Sequence, residues 1–229
     1  GSFLTIANSA RGMAMGDANV AAADDIDALS YNPAGIAGIK NMQANFMHVM
    51  YFQETSLQNI GVGYTAQEIG TFALNLIMLN SGAIDKTTEK SDGTLDKEDG
   101  TYTVSDLALG LGYAQAINEE IQVGGSLKYI QSSIDDSETA FALDLGTRYL
   151  GIEKVILAGA IKNLGTQLGG NNLPLQMVLG AAYKDKVADD GCYLLEYNLE
   201  YLINSQQLIN HIGGEYLFFD MLALRAGYQ

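Results

Sequence analysis

Two histidines, one cysteine and a scatter of carboxylates are the residues of this sequence that could do chemistry. His48 and His211 fall in separate segments, and Cys192 stands alone, so no Cys/His metal cluster and no internal disulfide can form. Glu196 and Glu200 share a strand face two pleats apart. Such a pair could serve a glycosidase, but charges solvated inside a barrel account for it more simply. Asp96, Glu98 and Asp99 are hard oxygen ligands of the kind calcium takes, yet the EF-hand spacing is missing. A solvated loop over residues 85–99 explains that acidic run. Gly61-Val62-Gly63 and Gly110-Leu111-Gly112 imitate the start of a dinucleotide fingerprint. Both lie inside strand patterns with no helix behind them, so they read as close-packing glycines. No nucleophile elbow or Walker loop occurs. The expectation is a protein that is not an enzyme, with no metal and no cofactor.

The elements around these residues are mostly strands. Residues 1–40 are rich in small side chains and lack period-2 alternation. Ala10–Gly16 and Ala21–Leu29 read as short helical pieces, with Asp24 and Asp25 early in the second. Pro33 suits a first helical position, followed by one short turn over 34–38. From residue 42 alternation takes over. Tyr193, Leu195, Tyr197, Leu199 and Tyr201 share one face, while Glu196, Asn198 and Glu200 share the other. The same pattern sets Leu107, Leu109 and Leu111 against Asp106, Ala108 and Gly110, and Phe141, Leu143 and Leu145 against Ala142, Asp144 and Arg148. It predicts about eleven strands, near 42–52, 56–66, 70–80, 103–116, 120–132, 138–150, 153–163, 173–184, 191–203, 206–218 and 220–229. The chain therefore divides into an amino-terminal segment, 1–40, and a strand region, 41–229.

The fold class expected is all-β, an antiparallel transmembrane β-barrel. Many of the strands reach the roughly 9–11 residues needed to cross a bilayer at a tilt, against about 5–6 in ordinary sheets. Connections alternate: loops near 80–102, 132–138 and 163–172 on one side, compact turns near 66–70, 116–120 and 150–153 on the other. The turn at 184–190 is long for its side. In a membrane barrel the apolar set, including Leu143, Leu195, Tyr197 and Leu199, faces lipid. The polar set then faces the lumen, with the charges Asp106, Lys128, Asp144, Arg148, Glu196, Glu200 and Arg225. Alternation by itself fits a soluble barrel equally well; strand length favours the membrane. A net charge of −15 argues against nucleic acid as a partner. Gly1-Ser2 reads as a mature terminus or a tag scar, so no compartment follows from it.

The amino-terminal segment carries a more specific signal. Phe3-Leu4-Thr5-Ile6, Ser9-Ala10-Arg11-Gly12-Met13-Ala14-Met15-Gly16-Asp17-Ala18, Ala22-Ala23-Asp24-Asp25 and Leu29-Ser30-Tyr31-Asn32-Pro33-Ala34-Gly35-Ile36-Ala37, in that order and spacing, resemble the start of the PorV/PorQ family of FadL-like outer-membrane barrels. The resemblance implies a barrel of about fourteen strands in a bacterial outer membrane, with the amino-terminal segment folded into the lumen as a plug. Arg11, Gly16, Asp24, Asp25, Asn32, Pro33, Ala34 and Gly35 match its plug motif. FadL-like members take up hydrophobic small molecules. PorV-like members instead assist type IX secretion, partnering a secretion translocon and its cargo. Passage or binding of hydrophobic or small solutes is therefore the leading expectation and a secretion partner the alternative. Outer-membrane lipid is the surrounding partner in either case, and a hydrophobic ligand in the lumen is implied by the first. Asp17, Asp24, Asp25 and Asp27 are expected to pair with Arg148 and Arg225. The final residues, Arg225-Ala226-Gly227-Tyr228-Gln229, stop on about the eleventh strand. That leaves an edge unpaired, so either the record is partial or the strand count is wrong.

Overall fold

The structure is a computed structural model that describes residues 1–229 apart from 134–135, 188–190 and 220, and apart from the side chains of 88, 89, 95 and 97–99. It is all-β, with 63% strand and 10% helix. Small apolar and polar residues open the chain, and no long helix follows from them. Residues Ser2–Thr5 form a 3-10 turn, Ala10–Ala14 the helix α1, Ala28–Tyr31 the helix α2 and Pro33–Gly38 a second 3-10 turn. The first helical expectation holds in part. The second is displaced: 21–27 are turns, and the helix begins only at Ala28. The backbone N–H groups of Ala21 and Ala22 are held by a carboxylate of the sheet, which outcompetes a helix with so little length behind it.

The strands are β1 (Met42–Met50), β2 (Ser56–Ala66), β3 (Gly70–Asn80), β4 (Ile84–Glu89), β5 (Leu95–Tyr102), β6 (Ser105–Ala116), β7 (Ile121–Ser133), β8 (Ser137–Ile152), β9 (Val155–Gly165), β10 (Gln176–Val187), β11 (Gly191–Leu202), β12 (Gln207–Phe218) and β13 (Leu222–Tyr228). Eleven of them form one antiparallel sheet in the order β1-β2-β3-β6-β7-β8-β9-β10-β11-β12-β13. The eleven expected strands are these. The expected loop at 80–102 is instead a separate hairpin, β4–β5, closed at its base by Ser81 N–H donating to the Val104 carbonyl at 2.9 Å. Its residues are too polar to show an apolar face, which is why the sequence reads as loop. The strand expected from 173 starts at Gln176, because Pro174 has no ladder donor and Leu173 turns inward to pack near Phe3. The turn expected over 184–190 is shorter than it reads: β10 continues to Val187, and 188–190 lie outside the described residues.

The sheet has two unlike faces. Along β10, Gln176, Val178, Gly180 and Ala182 are buried, while Met177, Leu179, Ala181 and Tyr183 are exposed. This is the alternation of the sequence, with the small and polar set inside. Residues 1–40 cover that inner face from edge to edge. The Ile26 N–H donates to Gln43 of β1 at 3.2 Å, and Gly16 lies against the backbone of Tyr228 in β13. Ten strand spacings would span roughly 48 Å if flat. Ten residues of chain reach at most about 35 Å. The sheet is therefore rolled around the segment. It is not closed: β1 and β13 do not pair.

Candidate functional site

Packing fixes the segment first. Ile26, Leu29, Ile36 and Ile39 are buried against Ala73 of β3 and Ala114 of β6. Met15, Ala21 and Ala22 pack with Ala182 and Leu194. Each large aliphatic residue so buried contributes about 1.5–3 kcal/mol, which offsets the backbone ordering that the segment has no core of its own to meet. Inward glycines make the space. A side chain at Gly63 would strike Ile39, at Gly112 Leu29, at Gly124 Pro33 and at Gly146 Asn32. The glycines that imitate a dinucleotide loop are such packing positions.

The motif residues then meet the sheet in distinct ways. Asn32 caps the second 3-10 turn, its Oδ1 accepting from Ala34 N–H at 3.1 Å. Its Nδ2 donates to the carbonyls of Val20 and Thr147, at 3.2 and 3.1 Å. Pro33 takes the first position of that turn. Ala34 and Gly35 are buried, and a side chain at Gly35 would collide with the Ala23 carbonyl. Gly16 has a φ of +63°, the left-handed region, and presses on Tyr228, so glycine is required twice over. Arg11 makes a fork on Glu215 of β12, with Nε and Nη2 each 3.2 Å from a carboxylate oxygen. Asp24 and Asp25 lie 3.8 Å from its Nη1. Burial works to lower the Arg11 pKa, but Glu215, Asp25 and Asp24 outweigh it and leave it raised. Burial raises the Asp25 pKa and the neighbouring Asp27 adds to this, while Arg11 pulls it back.

The expected charge pairing across the interface is not what forms. Arg148 does not meet an aspartate; its Nε donates to the Ala21 carbonyl at 3.0 Å and its Nη1 to Gln122 at 3.0 Å. Arg225 is exposed on the edge strand and pairs with Glu215 at 2.5 Å. Asp27 accepts from Ser9 and Asn45, and Asp17 accepts from the Tyr31 hydroxyl at 2.7 Å. The segment supplies its own cation, Arg11, because that side chain reaches the aspartates without crossing the sheet. Glu196, only 2% exposed, accepts from the Ala21 and Ala22 N–H groups at 2.7 and 3.0 Å, one on each oxygen. Lys128 pairs with the fully buried Asp144 at 2.5 Å and donates to Asn163 at 2.9 Å. Asp106 is half-buried on the same face.

Glu200 belongs to a polar cavity of about 140 Å³ between the segment and β9–β12. Asp17, Tyr31, Lys162, Gln176, Asn198 and His211 line it too. Of these, the sequence places Asn198, Glu200 and Gln176 on the lumen-facing set and Asp17 among the acids of the segment. His211 read as a lone strand histidine, and Lys162 carried no motif. The signal was present in the alternation, since Lys162 and Gln176 share the inward parity of their strands. Glu196 and Glu200 are divided between two different partners, so no acid–base pair forms. Asp96 pairs with Lys90 at 3.4 Å, while the side chains of Glu98 and Asp99 lie outside the described residues. Among the described residues no group of three or more His, Cys, Asp or Glu is placed to hold a metal.

The model of an Uncharacterised protein family (UPF0164) matches residues 3–139, more than half of the chain. The chain belongs to this family. The matched stretch takes in the amino-terminal segment and β1 to β7, and reaches the first residues of β8. The inward groups Arg148, Lys162, Gln176, Glu196 and His211 lie beyond it. A comparison with curated proteins gives no match.

Proposed function

We propose that this chain forms a plugged β-barrel of FadL-like type in a bacterial outer membrane and binds or passes small solutes. The observation that carries the reading is the outer face of the sheet. Phe46, Ile60, Phe72, Leu111, Leu127, Phe141, Leu179, Leu195 and Leu208 stand outward and are 43–68% exposed. A soluble monomer rarely exposes so continuous an apolar surface, whereas a barrel in lipid requires it. The inner face, where small and polar residues stand among buried apolar clusters, is covered by residues 1–40, which supports reading that segment as a plug. The free edges of β1 and β13 need pairing partners in lipid, where no water satisfies them.

Membrane fractionation and reconstitution test the reading. The chain is expected in the outer-membrane fraction and to need detergent for extraction. In liposomes it should support solute flux that rises when residues 3–30 are deleted. Recovery as a monomer in detergent-free buffer would overturn the membrane placement. Unchanged flux in a folded deletion variant would overturn gating by the segment.

A further inference from the structure

We propose that the cavity between the amino-terminal segment and β9–β12 binds a small zwitterion of the amino-acid type. Cross-strand register assembles the site. Lys162 of β9 stands opposite Gln176 of β10, and Asn198 of β11 opposite His211 of β12. Glu200 lies two residues beyond Asn198 on the same face of β11. The segment closes the cavity from the other side with Asp17 and Tyr31.

The charges are arranged in two different states of completion. His211 is spoken for: Nδ1 is 2.9 Å from the Gly16 carbonyl and Nε2 is 3.1 Å from Glu200. Both partners only accept, so both ring nitrogens carry hydrogen, and the imidazolium and Glu200 neutralise each other. Lys162 and Asp17 are not joined. Among the described residues Lys162 makes no ion pair, and its Nζ stands 5.8 Å from the centre of the Tyr31 ring. Asp17 uses one carboxylate oxygen on the Tyr31 hydroxyl. An unpaired ammonium in such a place calls for an anion. A separate carboxylate calls for a cation.

One ligand answers both. Its carboxylate would meet Lys162, and its ammonium would meet the free carboxylate oxygen of Asp17. Cavity charge balances, with two positive and two negative groups, so a plain anion gains no net attraction that a zwitterion lacks. The space corresponds to roughly ten water positions, which suits a small amino acid and excludes a long acyl chain. Binding follows from the cavity alone; its use as a station in passage rests on the membrane reading above.

Calorimetric titration of the full chain with alanine, acetate and ethylamine tests the site. Alanine is expected to bind saturably, and acetate and ethylamine about tenfold or more weakly. Lys162→Gln should weaken alanine binding about tenfold or more while leaving the unfolding midpoint in place. Gln176→Glu sets a carboxylate opposite Lys162 and should weaken alanine binding by a similar factor. Equal affinity for acetate and alanine would overturn the zwitterion assignment, and absence of saturable alanine binding by the folded chain would overturn the site. Neither result bears on fractionation. A chain that binds alanine but partitions into buffer retains the site and loses the membrane reading, and the reverse pair of results does the opposite.

Discussion

Asn32 joins three backbone groups with one amide: the turn it caps, the preceding loop at Val20, and Thr147 in β8. Replacing it with Ala removes all three bonds and leaves buried carbonyls unpaired, at a cost of about 2 kcal/mol or more. Asn32→Asp keeps the cap but sets a buried carboxylate oxygen against the Val20 and Thr147 carbonyls, so denaturant unfolding should rank wild type well above both variants, with Asp no better than Ala. Glu196 has a comparable role from the sheet side. Glu196→Gln keeps one acceptor for two buried N–H groups and should destabilise by about 1–3 kcal/mol. Asp25 titrates in the opposite sense from a typical salt-bridged carboxylate. Its raised folded value means the folded state holds the proton more tightly than the unfolded chain does. Its contribution is therefore most favourable at low pH and is lost as pH rises from the ordinary carboxylate range through the raised value. Asp25→Asn should flatten stability over that window and leave neutral-pH stability equal or slightly higher. A fall in stability at neutral pH would show that the contact with Arg11 at 3.8 Å outweighs burial and Asp27.

At the scale of elements, the β4–β5 hairpin stands outside the main ladder. Asn80 and Ser105 are already register partners across β3 and β6, so the hairpin is an extension of one connection. Replacing residues 82–103 with a tight turn should leave the unfolding midpoint within a few degrees, a shift worth about 1 kcal/mol or less. Loss of folding would show that the hairpin braces the rim. The two helices are too short to stand alone, and each is held by its contacts with the sheet. Ala142 shows how an element's environment is hidden from its sequence. By alternation it faces the lumen, where Arg is expected to cost less than at the lipid-facing Leu143. It is 4% exposed and packed with Phe3, Ile130 and Leu173. Ala142→Arg should therefore be severely destabilising, contrary to that expectation.

For the molecule as a whole, the outward face distinguishes a membrane protein from a soluble one. Leu111 is 56% exposed at the middle of β6. In lipid, Leu111→Arg should cost roughly 2–4 kcal/mol. In water the same change would be neutral or favourable and would raise solubility. Unfolding of the variant in detergent or liposomes, set beside its solubility in buffer, decides between them. Deleting residues 3–30 asks the same question from inside. That segment supplies Met15, Ile26 and Leu29 to the clusters beneath the sheet. A sheet that relies on them for its core unfolds without them, while a barrel held by lipid and its ladder keeps its strands.

The strands were legible because period-2 alternation survives wherever one face is apolar. The break near residue 40 was legible because small residues without alternation cannot build a strand or a core. The packing role of Gly61, Gly63 and Gly112 followed from their place inside strands. Three things were not legible. The partners of Arg11, Arg148 and Arg225 depend on which side chains the rolled sheet brings within reach, and opposite charge alone did not select them. The hairpin at 84–102 needed its pairing to reveal it, since its residues are too polar to show an apolar face. The cavity holding Lys162, Gln176, Asn198, Glu200 and His211 draws on four strands and on Asp17, with more than forty residues between Lys162 and His211. Local sequence sets which way each side chain points. Only register and the roll of the sheet around residues 1–40 decide which of them meet.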